Sequence, residues 1–151
     1  MINKMEPPPR LVEYVNRLTT NKIGQIELFR YDPNFVAETM YPIQPEEAVV
    51  LLQITCGGAA GQAELHLPGV HPHFDLIRFA SVYKPLKKSS VSEAIRCVNS
   101  SRDEWGIARR RLAEAALNDL AAKLQNPDHS GSHPGLPKSL LLDCSQSYYS
   151  F

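Results

Sequence analysis

The sequence predicts an α+β domain in which a three-stranded antiparallel β-meander is followed by a helical bundle. Two observations carry that expectation for the sheet and one for the helices. Gln25-Ile26-Glu27-Leu28-Phe29-Arg30 and Gln62-Ala63-Glu64-Leu65-His66-Leu67 alternate polar and apolar residues, which puts like residues on one face of a strand. Between them, Ala48–Cys56 is a nearly continuous apolar run, as in a strand covered on both faces. From Phe74 onward the apolar spacing changes to that of helices.

Taken in order, Pro7–Pro9 precede Arg10–Leu18, where Leu11, Val15 and Leu18 share a helical stripe; proline suits a helix start because its missing N–H has no partner there. An aromatic and proline-rich loop, Tyr31–Pro45, joins the first two strands. Gly57-Gly58-Ala59-Ala60-Gly61 reads as a hairpin turn, since glycine takes positive φ without strain. A phosphate cradle is excluded there, because no Lys-Ser/Thr or helix start follows. Phe74–Tyr83 has helical spacing. Ser90-x-x-Glu93 and Ser101-x-x-Glu104 both fit a capping box, opening helices to about Val98 and from about Asp103 to Gln125. In the longer helix Ile107, Ala108, Leu112, Ala115, Ala116, Leu120 and Leu124 form the expected core stripe, and Asp119 and Lys123 an i,i+4 pair. Asn126–Lys138 is a Pro/Gly/Ser/His loop, and Ser139–Asp143 is apolar enough for one last strand. The chain thus divides into an extension over 1–22, an α+β domain over 23–125 and a loop with tail over 126–151.

Sixteen basic residues balance sixteen acidic ones, so there is no charge footprint for nucleic acid or an anionic membrane. Arg109-Arg110-Arg111, between Glu104 and Glu114, reads as a solvated helix face. No stretch approaches the roughly 20 apolar residues of a bilayer span. The 3 cysteines, Cys56, Cys97 and Cys144, form no C-x-x-C pair, which points to free thiols and a cytoplasmic location.

Two motifs then carry a resemblance. Gly61-Gln62-Ala63-Glu64 opens the third strand, and Ala116-Leu117-Asn118-Asp119-Leu120-Ala121-Ala122-Lys123 closes the long helix. With the order strand, aromatic loop, strand, glycine turn, strand, helices, the segment Ile23–Lys123 resembles the N-terminal capping domain of the enolase superfamily, in its mandelate racemase and muconate-lactonising branch. Ala63 departs from a usual glycine and Asn118 from a usual tryptophan. After Lys123 the barrel entry of that family is replaced by the Pro/Gly/His loop. The resemblance implies a barrel that supplies magnesium carboxylates and the base for α-proton abstraction; no such groups can be placed here. It therefore implies a non-catalytic module without cofactors, serving in binding, accessory or oligomerising roles. The alternatives are the cap subunit of a split enzyme whose barrel is a separate chain, or a fragment of such an enzyme.

By position, the cap's specificity loops map to Tyr31–Tyr41 and Gly57–Gly61, making Tyr31, Phe35, Tyr41, Gly58 and Ala59 the candidate ligand-binding residues. Set against this, aromatics near prolines often plug a sheet edge. His66, His71 and His73, with Asp75, have metal-ligand chemistry. Pro68, Gly69 and Pro72 leave that loop no fixed ligand geometry, so no metal is expected. Glu64 reads as solvent-facing, and Cys56 has no basic sequence neighbour to activate it. Tyr148, Tyr149 and Phe151 invite burial of the tail against the domain or a partner. A homodimer burying Arg10–Leu18 or Leu140–Phe151 is the expected assembly.

Overall fold

Residues 23–31 carry apolar side chains on both faces of one strand, and the whole architecture follows from covering them. The computed structural model describes residues 9–31, 47–68, 74–101, 104–125, 141–143 and 145–151. Helix α1 (Pro9–Thr20) leads into β1 (Ile23–Tyr31), β2 (Glu47–Cys56) and β3 (Ala59–Pro68). Then come α2 (Leu76–Ala80), a 3₁₀ segment (Ser81–Leu86), α3 (Val91–Ser100), α4 (Ile107–Gln125) and a final strand β4 (Ser145–Ser150).

The protein is α+β, with a four-stranded antiparallel sheet in the order β3-β2-β1-β4. The expected three strands are short by one. The last strand also lies later than expected: Leu141–Asp143 is helical, and the pairing begins at Ser145. Ser145–Ser150 escapes a hydropathy reading because its serines leave only two apolar positions to signal a strand.

On one sheet face, Ile26, Leu28, Val50, Leu52, Ile54 and Cys56 form a core with Tyr83, Val98, Leu112 and Leu117 from the helices. Leu18 of α1 and Tyr149 and Phe151 of the tail pack against the same cluster. On the other face Phe29, Tyr31, Val49 and Leu51 are buried with Leu141. This double burial is why β2 lacks alternation.

Helix boundaries follow local chemistry. Ser90 Oγ accepts the Glu93 N–H at 3.1 Å and donates to the Glu93 carboxylate at 3.2 Å, so the first capping box forms. The second does not. Ser101 Oγ donates backwards to the Val98 carbonyl at 2.7 Å and closes α3, and α4 starts only at Ile107. The α4 stripe also shifts: Leu112, Ala113, Ala116, Leu117, Leu120 and Leu124 face the core, while Ile107 is 70% exposed and Ala115 points outward. Arg109 is not simply solvated: its Nε donates to the Trp105 carbonyl at 2.6 Å and its guanidinium lies over Phe79. Phe74–Tyr83 gives a single α turn capped by Asp75, which accepts the Arg78 N–H at 3.1 Å, and passes into 3₁₀ geometry over Pro85.

Candidate functional site

The residues singled out by the sequence fall at two ends of the sheet. Tyr31 pairs with Val49 where β1 ends; Ala59 pairs with Cys56, which lies opposite Ile23 where β1 begins. Nine residues of strand separate them, roughly 26–30 Å. Tyr31 and the pair Gly58 and Ala59 therefore do not belong to one site. Phe35, Tyr41, His71 and His73 lie outside the described residues.

Gly58 and Ala59 line a cleft of about 520 Å³ with Gly57, Asn21, Arg17 and Lys123. The turn forms because Gly57 (φ 57°) and Gly58 (φ 81°) both take the left-handed region that a two-residue hairpin of this type requires. Asn21 fits against Gly57, where a Cβ would meet its amide at 2.8 Å. The positive charge here is already engaged. Arg17 Nη1 donates to the Leu124 carbonyl at 3.0 Å, and Lys123 Nζ donates to the Ala60 carbonyl at 2.8 Å while pairing with Asp119 at 2.9 Å. Leu124 lies in the last turn of α4, where carbonyls lack helical partners and the helix dipole is negative. Arg17 therefore closes the end of α4, and Lys123 ties the helix to β3.

The opposite face of the sheet holds a polar ladder that sequence reasoning missed. Tyr148 of β4 donates its hydroxyl to Glu27 Oε2 at 2.7 Å, and Gln53 Nε2 donates to Glu27 Oε1 at 3.1 Å. Gln62 Nε2 in turn donates to Gln53 Oε1. One side chain from each strand thus joins a chain of hydrogen bonds crossing β4, β1, β2 and β3. Glu27 is only 1% exposed. The available signal was the flank of Glu27: Phe29 and Tyr31, at i+2 and i+4, share its face and mark that face as covered.

Glu64 extends this face beside Gln62 and is half-buried, so it is not a freely solvated strand residue. Burial pushes its carboxyl above the usual range, and the nearby His66 pulls it back. His66 is also half-buried. Among the described residues no three His, Cys, Asp or Glu side chains converge in a way that could hold a metal ion. Cys56 is buried and its thiol is pushed up by that burial, so thiolate is scarce there. Among the described residues no helix is long and apolar enough to cross a membrane.

The two motifs behind the family resemblance meet directly. Gly61 lies so close under α4 that a Cβ would fall 2.2 Å from the Ala116 carbonyl oxygen and 2.6 Å from Leu120. The next N–H, of Gln62, donates to Asp119 Oδ2 at 2.8 Å. Neither a family model, nor a curated protein, nor a solved structure matches the chain.

Proposed function

We propose that the chain is a non-catalytic capping-type domain that acts as a binding, accessory or oligomerising module. What supports the reading is the interlock of Gly61-Gln62 with Ala116, Asp119 and Leu120. The quoted residues of both motifs are used against each other, as they would be if they were kept to seat the helix on the sheet. The finer architecture belongs to the same proposal: a β1-β2-β3 meander carrying the helices, with β4 as an addition to it. Around the ladder and the cleft, the polar groups are spent on structure. Glu27 binds Gln53 and Tyr148, and Lys123 binds Ala60 and Asp119.

The test is α-proton exchange. The purified chain with magnesium is incubated in deuterium oxide with a panel of carboxylates, and label at the α-carbon is measured. No label above the buffer rate is the expected result. Exchange that survives repurification overturns the proposal, whereas exchange appearing only when a separate barrel chain is added favours the cap of a split enzyme.

A further inference from the structure

The cleft at the hairpin turn keeps donors beyond those that the fold uses. Arg17 of α1 and Lys123 near the end of α4 both line it. A guanidinium carries five N–H groups and an ammonium three. Arg17 gives Nη1 to the Leu124 carbonyl, while its Nη2 lies 3.8 Å from Glu13, too far for a hydrogen bond. Lys123 gives one donor to Ala60 and one to Asp119, which leaves a third. A carbonyl accepts a hydrogen bond but has no formal charge, so the Leu124 and Ala60 contacts fix the two cations in place without neutralising them. Glu13 is 71% exposed and pairs weakly in water. Asn21, a third polar wall, makes no side-chain hydrogen bond among the described residues.

The remaining walls narrow the class of ligand. Leu124 alone among the lining residues is large and apolar, so an apolar or aromatic molecule finds little surface to bury. The glycine turn stays low: a Cβ at Gly58 would meet nothing within 4 Å, and a polar molecule can approach the backbone there. Both helices bring their C-terminal ends to this region, α1 at Thr20 and α4 at Gln125. The partial negative charge of a helix C-terminus opposes a doubly charged phosphate, which favours helix N-termini instead. A single negative charge spread over a planar carboxylate suits the fork of Arg17.

We propose that this cleft binds a small molecule with one carboxylate and a neutral, amide-bearing body. The carboxylate lies between Arg17 and Lys123, and the body lies against Asn21 and the turn at Gly57 and Gly58. The volume of about 520 Å³ suits such a molecule, since small-molecule sites run from roughly 300 to 1,000 Å³. An amide side chain both donates and accepts, so Asn21 can pair with an amide of the ligand through two hydrogen bonds. The inference deepens the binding-module reading and rests on it. Failure to bind removes this site alone, whereas α-proton exchange bears on the reading itself.

The experiment is an amide-resolved NMR titration of the full chain with N-acetylglycine, at an ionic strength held constant with sodium chloride. Saturable shifts centred on Asn21, Gly57, Gly58 and Ala59 are expected. The uncharged N-acetylglycine methylamide should bind about tenfold more weakly or worse, and Arg17→Gln should weaken N-acetylglycine by a similar factor. Arg111→Gln removes an exposed cation about three turns away on α4 and should change nothing. Shifts that never saturate, or that centre elsewhere, overturn the proposal. So does equal binding of the methylamide, because the cations then play no part. Inorganic phosphate binding more tightly than N-acetylglycine also overturns it, because the cleft then prefers a double charge. If Arg17→Gln does not fold, the two N-acetylglycine ligands compared on the unaltered chain decide.

Discussion

Asp119 of α4 accepts the backbone N–H of Gln62 on β3 at 2.8 Å, so a helix side chain takes the place that a neighbouring strand would have filled. Lys123, one turn later, completes the contact through the Ala60 carbonyl. The two side chains also pair with each other at 2.9 Å, which holds both in place over the edge.

Removing Asp119 therefore leaves a part-buried N–H without its acceptor. Asp119→Ala should lower stability by about 1–3 kcal/mol, the cost of an unsatisfied donor. Glu114→Ala is the control, because among the described residues Glu114 pairs with Arg110 alone, on a half-exposed helix surface at 3.1 Å. That loss should stay within about 0.5 kcal/mol. Urea midpoints of the two variants decide it; equal shifts would mean that the edge contact adds nothing beyond a surface ion pair.

Gly61 makes the second prediction. A methyl group there meets backbone, the Ala116 carbonyl at 2.2 Å, and so cannot be relieved by a rotamer change. Gly61→Ala must push α4 off β3 and should cost about 3 kcal/mol or more. Gly58→Ala meets nothing within 4 Å and is strained only by its φ of 81°, at about 1 kcal/mol. Thermal melts showing the reverse order would refute the close approach of helix and strand.

The ladder on the outer face ties β4 to the sheet. Tyr148 packs at a tilt against Phe29, with ring centroids 4.9 Å apart, and donates to Glu27. Tyr148→Phe keeps the ring and loses the hydrogen bond. Combined with Glu27→Gln in a double-mutant cycle, it should show a coupling of about 1–2 kcal/mol. A coupling indistinguishable from zero would mean that the hydrogen bond between Tyr148 and Glu27 adds nothing to stability.

How much of this was legible in the sequence depends on where the deciding contact lies. The order of β1, β2 and β3, the Ser90 cap and the Asp119–Lys123 pair rest on residues within a few positions of one another, and local spacing revealed them. Glu27 and Gln53 are 26 residues apart and their burial depends on what covers the sheet, which alternation cannot report. Tyr148 and Glu27 are 121 residues apart. Ser101 shows the limit of a short motif: Ser-x-x-Glu was present, but the Val98 carbonyl claimed the hydroxyl first. The candidate residues lie at opposite ends of the sheet, a separation that sequence spacing does not report. Gly58 and Ala59 do line a cleft, yet Arg17 there closes the end of α4, Lys123 binds the Ala60 carbonyl of β3, and Tyr31 stands at the other end of β1.

Burial of Tyr83 makes stability fall at alkaline pH. Its ring is fully buried, edge-on to Trp105 at 5.3 Å, and its hydroxyl donates to the Arg109 carbonyl at 2.8 Å. Burial pushes the hydroxyl well above its ordinary value of 10.0, and the Arg109 charge offsets this only in part. The folded chain then keeps a proton that the unfolded chain loses. A group raised in this way contributes stability that is fully present below the unfolded value and declines as pH rises above it, by up to about 1.4 kcal/mol per pH unit. Cys56, also raised by burial from 9.0, acts in the same direction. Glu93 acts at the other end: hydrogen bonds from Lys22 and Ser90 hold its carboxyl below 4.5, so its contribution is lost as pH falls through its folded value. Tyr83→Phe should therefore be less stable at pH 7, where the Arg109 carbonyl loses its donor, and should show a shallower decline between pH 9 and pH 11. Cys56 contributes to the slope that remains. Urea unfolding at five pH values across that range measures both effects. An unchanged slope in Tyr83→Phe would mean that the buried hydroxyl ionises no later in the folded chain than in the unfolded one.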